Sequence, residues 1–94
     1  MNYIKVHWAH QNQSDPIWLF IEIDGKRWET RKIEIFPDGS KGYASKMEEV
    51  GGAALGKVPV PPLAEIIADP QFSAQEITKA EFEAEWNGRG NAAS

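Results

Sequence analysis

From Asn2 to His10 apolar and polar side chains alternate: Ile4, Val6 and Trp8 fall on one side, Tyr3, Lys5 and His7 on the other. An extended chain points successive side chains to opposite faces, so this period of two is the mark of a half-buried β-strand. A lone strand leaves its backbone donors and acceptors unpaired, which commits the chain to a sheet. Everything downstream has to supply that sheet's other strands and cover its apolar face.

After a polar stretch ending in Asp15-Pro16, a loop signal, Ile17–Ile23 is the second strand. Ile17, Leu19, Ile21 and Ile23 share one face; Trp18, Phe20 and Glu22 share the other. Asp24-Gly25 then reads as a two-residue hairpin turn that needs positive φ angles. That turn sets Ile23 opposite Lys26, Glu22 opposite Arg27, Ile21 opposite Trp28, Leu19 opposite Thr30 and Trp18 opposite Arg31. The third strand, Lys26–Phe36, breaks parity: Trp28 and Thr30 are even, Ile33 and Ile35 odd. A β-bulge near Arg31-Lys32 would bring all four to the core face. Pro37-Asp38-Gly39-Ser40 turns the chain again, into Lys41–Ser45, with Ala44 opposite Ile33 and Tyr43 opposite Glu34.

Gly51, Gly52 and Gly56 mark a flexible connection. Val58-Pro59-Val60-Pro61-Pro62 must be extended, because each proline biases its predecessor away from the helical region. It reads first as a stiff lead into a helix, with Pro62 near the first turn, and second as a ligand for a proline-reading domain. Leu63, Ile66 and Ile67 have the spacing of a short amphipathic helix ended by Asp69-Pro70. Thr78 and Glu81 form a capping box, and Ile77 and Phe82 occupy the two positions of a hydrophobic staple, so a second helix runs from about Lys79 to Trp86. The expected fold is α+β: a four-stranded antiparallel meander with a C-terminal helical segment of two short helices packed on one face. Residues 1–86 form a single domain and 87–94 a flexible tail.

Ninety-four residues suit one core. Four Trp and four Phe within a 41% apolar composition rule out disorder of the whole chain. With no cysteine there is no disulfide, thiolate nucleophile or thiolate metal site. The first residues lack the basic and apolar regions of a secretory signal, and no apolar run approaches the ~20 residues of a membrane span, so the expected location is cytoplasmic, without membrane attachment. The net charge of −4 is uneven: residues 1–47 carry seven basic and six acidic groups, residues 48–94 three basic and eight acidic. An acidic half disfavours non-specific nucleic-acid binding and suits a basic protein partner, but also describes an ordinary solvated helix.

Tests for chemistry come back empty. His7 and His10, the only histidines, diverge on an extended chain and make no metal pair. Gly51–Lys57 ends in Gly-Lys, but its spacing is wrong for a phosphate loop and Val58 stands where Ser or Thr is needed. The serines sit in no nucleophile elbow, and the clustered glutamates lack the walled cleft a glycosidase pair requires. No cofactor is implied.

The informative surface is the sheet face away from the expected core, which collects aromatic, basic and acidic side chains. Trp18, Glu22, Arg27, Arg31, Glu34 and Tyr43 are its candidate partner-binding residues, of the kinds that protein interfaces favour. Three readings of this face stand side by side: a protein-binding surface, a base-stacking platform for RNA, or simply core beneath the C-terminal helices.

The chain resembles a family of small uncharacterised bacterial domains of unknown function. The resemblance rests on Tyr3–Trp8, Arg31–Gly39, Gly42-Tyr43-Ala44, Leu55–Pro61, Glu65–Asp69 and Ile77–Trp86. It carries over no catalytic residues. Some members are similar to stand-alone genes near polymorphic or contact-dependent toxins, which implies a candidate toxin as partner. The expected function is therefore that of a non-enzymatic protein-binding module, an immunity protein that blocks a toxin. The alternatives are RNA or single-stranded nucleic-acid binding through the sheet face, and a small enzyme or ligand-binding domain using His7 with Arg31. Metal content offers a direct check. Untagged protein dialysed after purification should contain well under one equivalent of zinc by elemental analysis.

Overall fold

The computed structural model describes residues 1–89, and within them the strands form one six-stranded antiparallel sheet. In chain order the elements are β1 (Asn2–Trp8), β2 (Trp18–Ile23), β3 (Glu29–Ile35), β4 (Lys41–Ser45), β5 (Glu49–Val50), α1 (Leu63–Ile67), β6 (Phe72–Glu76) and α2 (Lys79–Asn87). The strand order is β5-β4-β3-β2-β1-β6. The expected meander β1 to β4 is present, and the expected count of four strands is corrected to six. The two additions are β5, which folds back beside β4, and β6, which pairs antiparallel with the free side of β1.

The helices do not share a face, as the sequence reading had them. On one side α1 and Val60 pack with Ile4, Val6, Leu19, Ile21, Ile23, Phe72 and Ala74. On the other, α2 buries Phe82 against Tyr3, Phe20, Ile33 and Ile35, with Ile77, Tyr43 and Trp86 around them. The sheet is thus apolar on both sides. This explains why β2 reads as apolar throughout rather than alternating. Placing β6 between the two helices carries the chain across the sheet edge from one face to the other.

Both central hairpins use a three-residue loop, and this corrects both expected registers. In the first, the Asp24 amide donates to Trp28 O at 3.0 Å, while Asp24 Oδ1 accepts from the Lys26 and Trp28 amides, each at 2.9 Å. In the second, Phe36 and Ser40 close the loop at 2.9 Å, and Asp38 Oδ1 accepts from the Ser40 amide. Each loop ends in a left-handed residue, Arg27 at φ 68° and Gly39 at φ 87°. That is the type I turn followed by a left-handed position that three-residue hairpins favour. Gly25, expected to supply the positive φ, does not; the Asp24 carboxylate stabilises the longer loop instead.

The consequence runs through the sheet. Glu22 pairs with Arg31, Leu19 with Glu34 and Trp18 with Ile35, and the register shift lies at Glu22/Ile23, leaving Thr30 as the bulged residue. Tyr43 pairs with Ile33 and Ala44 with Lys32. A one-residue slip turns a strand's side chains over. Ile33 and Ile35 therefore join the α2 face, while Lys32 and Glu34 point to the α1 side. Trp28, expected on the core face, is exposed.

At the C-terminus the capping box forms as expected: Glu81 N donates to Thr78 Oγ1 at 3.1 Å, and Thr78 N to Glu81 Oε1 at 3.1 Å. Phe82 is fully buried. The expected flexible tail falls mostly outside the described residues. Within them, Arg89 lies over the Trp86 ring at 4.0 Å and the Tyr43 ring at 4.9 Å.

Two glycines give a paired test. A Cβ at Gly42 would sit 2.8 Å from Gly51 O and 2.9 Å from Val50 O, against backbone that cannot swing away. One at Gly25 meets nothing within 4 Å and no left-handed φ. Gly42→Ala should cost about 1–3 kcal/mol in urea unfolding, whereas Gly25→Ala should leave the midpoint unchanged or raise it slightly.

Candidate functional site

The α2 face is organised around one arginine. Arg31 is placed beside Glu22 by the bulge, and its Nε and Nη2 donate to the two carboxylate oxygens of Glu22 at 2.9 and 2.7 Å. This two-pronged geometry suits the planar guanidinium. Its Nη1 donates to Glu83 of α2 at 2.8 Å. The same guanidinium lies 4.9 Å from the Phe82 ring centre and 5.1 Å from that of Trp86. Thr30 Oγ1 adds a bond to Glu22 at 2.8 Å. Glu22 is buried, and the Arg31 hydrogen bonds hold its carboxyl down at about 2. Burial, and then the Glu22 carboxylate, push the neighbouring Tyr3 hydroxyl up.

These contacts decide how the sequence-predicted residues are used. Glu22, Arg31 and Tyr43 do share a face with Trp18, but the first two join the sheet to α2 and Tyr43 packs edge-on against Trp86. Arg27 stands in the first hairpin loop, where its Nε and Nη2 donate to Val60 O and Pro61 O at 2.8 and 2.9 Å. Glu34 lies on the α1 side beside Lys32. Trp18 belongs to neither apolar cluster. It is half-buried, held between His7 of β1 and Ile35 of β3, with its ring 4.6 Å from the His7 ring and Lys5 Nζ at 5.4 Å. A dent of about 100 Å³ beside it is lined by Lys5, His7, Ser73 and Gln75, among others. Lys5 and His7 were legible as face-sharing neighbours from the alternation of β1. The β6 contribution was not.

The other surfaces read from the sequence lose their claim. The acidic half that the sequence offers to a basic partner includes α2. Its carboxylates are engaged internally: Glu81 in the cap, Glu83 with Arg31 and Glu85 with Lys41. His7 and Arg31 pair with β2 residues four positions apart, about 13 Å along the strand direction, too far to act on one substrate atom. His10 is engaged at both ring nitrogens, by Pro16 O at 2.8 Å and by the Asn12 amide at 3.0 Å.

The α1 side carries the larger concavity, of about 480 Å³, between the sheet, α1 and the Val58–Pro61 strap. Sequence reasoning missed it because its walls come from five separate stretches of chain.

The Arg31 cluster predicts a pH dependence with a definite sign. Glu22 falls from 4.5 to about 2 on folding, so its contribution is complete above about pH 4.5 and is lost as pH falls towards 2. Arg31→Ala, which strands a buried carboxylate, should cost about 3 kcal/mol near pH 7. Glu22→Gln should flatten the acid limb of the stability–pH curve between pH 5 and 2, measured by chemical denaturation.

Among the described residues no helix is long and apolar enough to cross a membrane. Comparison with curated proteins and with solved structures gives no match. Residues 2–91 do match one family along almost the whole chain, through both hairpins, the proline strap and the capped helix. The chain belongs to the DUF6881 family, a domain of unknown function.

Proposed function

We propose that this domain is a non-enzymatic protein-binding module acting by occlusion in the cytoplasm, in the manner of an immunity protein that blocks a toxin. One observation carries the reading. Trp18 is a large aromatic left partly exposed on a rigid sheet, outside both apolar clusters, while Glu22 and Arg31 on the same face are committed to internal bonds. Tryptophan is the residue type most enriched at energetic centres of protein interfaces, and a pre-ordered one has little entropy left to lose on binding. The bonding of Arg31 and Glu22 shifts them from contact residues to supports. RNA or single-stranded nucleic acid is the alternative occupant, favoured by Lys5 and His7 beside Trp18. It has little to stack on: Tyr3, Phe20 and Tyr43 are packed under α2.

Affinity capture from the native host, with wild-type protein and Trp18→Ala as matched baits and mass spectrometry as the readout, tests the proposal. The variant should lose the partner by about 1–3 kcal/mol in a follow-up titration while its melting temperature drops only slightly. Normal partner binding by folded Trp18→Ala would remove this patch from consideration. A steeply salt-dependent RNA shift lost in the same variant would favour the nucleic-acid reading.

A further inference from the structure

The concavity on the α1 side is built to stay open. Its floor is Val6, Leu19 and Ile21, Trp8 and Phe72 line it side by side with ring centres 5.7 Å apart, and α1 contributes Ile66. The roof is the strap Val58–Pro61, in which prolines alternate with valines, so the backbone is stiff. Arg27 pins the strap three times: its carbonyl accepts from Val60 N at 2.7 Å, and its guanidinium donates to Val60 O and Pro61 O. Arg27 does this from a left-handed conformation that an ordinary side chain adopts at a cost. The strap is thus fixed where Val60 is buried in the cluster with Ile4, Val6, Ile21 and Ile23, and the gap lies alongside that anchor. The resulting volume of about 480 Å³ is within the range of small-ligand sites.

The charge of this cleft has one sign. Three carboxylates line it, Glu29, Glu65 and Asp69, and no lysine or arginine does. Glu29 uses Oε1 for the Gly56 amide at 2.6 Å and Lys32 Nζ at 3.0 Å. Lys32 is buried and also faces Glu34 at 3.5 Å, so one ammonium serves two carboxylates behind the cleft wall. Burial raises the Glu34 carboxyl above its ordinary value. Asp69 spends Oδ1 on the Gln71 amide.

We propose that this cleft binds a small amphiphilic cation, an apolar aryl or alkyl body seated on Val6, Leu19 and Ile21 with an ammonium head at the Glu65 and Asp69 carboxylates on its rim. Apolar walls would supply the affinity and the carboxylates the sign selection. The site lies on the opposite face from Trp18 and does not depend on the partner-binding reading.

Three probes of matched shape test it by NMR titration: 4-phenylbutylamine, 4-phenylbutanol and 4-phenylbutyrate. The amine should bind saturably with shifts confined to Val58–Ile66 and the core-facing residues of β1 and β2. The alcohol should bind roughly tenfold more weakly and the carboxylate not at all. Glu65→Gln/Asp69→Asn, which alters only exposed positions, should narrow the gap between amine and alcohol to less than threefold. Ile66→Trp should block all binding; if it fails to fold, the double variant still decides. Trp18→Ala should leave amine affinity unchanged. No saturation by the amine at millimolar concentration, shifts mapping elsewhere, or equal binding of amine and carboxylate would each overturn the proposal.

Discussion

The Arg31–Glu22 pair, with Glu83 as its third member, is the interaction on which the α2 half of the structure rests. A helix of nine residues is too short to hold itself together in water and depends on what it packs against. Here the packing surface contains a buried carboxylate, which would be costly alone. Arg31 resolves both difficulties at once. Its guanidinium neutralises Glu22, reaches Glu83 on the helix, and lays its flat face near Phe82 and Trp86, so that charge and apolar surface are covered by one side chain. Lysine could not do this, since it lacks the planar fork and the stacking face. The bulge at Thr30 is part of the same device, because without it Arg31 would not stand opposite Glu22.

The other face solves a different problem with a different arginine. There the sheet is covered only in part, by the five residues of α1 and by an irregular strap. Arg27 holds the strap through its carbonyl groups, which otherwise have no strand to pair with. The two arginines thus divide the molecule into a closed side, where a helix seals the sheet, and an open side, where a braced roof leaves space. The asymmetry leaves two features uncovered: a partly exposed Trp18 beyond the edge of the α2 cluster, and an acidic-rimmed apolar cleft under the strap.

Much of the chain announces itself locally. The alternation of β1 fixed a strand and its two faces; Thr78, Glu81, Ile77 and Phe82 fixed the start of α2 to the residue; Asp69-Pro70 ended α1 where expected. β6 was missed because Phe72-Ser73-Ala74-Gln75-Glu76 has one large apolar residue and two small or polar ones on its inner side, too weak a period to separate from loop. It is a strand because β1 offers it a row of unpaired backbone groups, which is a property of the partner and not of the segment. β5, at two residues, has no period at all.

The sequence by itself determined that a sheet forms, which stretches turn, and which helix is capped, because those signals are encoded within a few residues of one another. Only the tertiary structure decided which side chains meet. Each hairpin loop could close over two, three or four residues with similar local chemistry. The choice of three rests on the Asp24 and Asp38 carboxylates together with the burial of Ile33 and Phe82 on the far side of the sheet. Arg31 and Glu34 stand three residues apart on a strand whose bulge lies at Thr30 and not between them, so they face opposite sides of the sheet, and residues that the sequence had grouped as one site are separated.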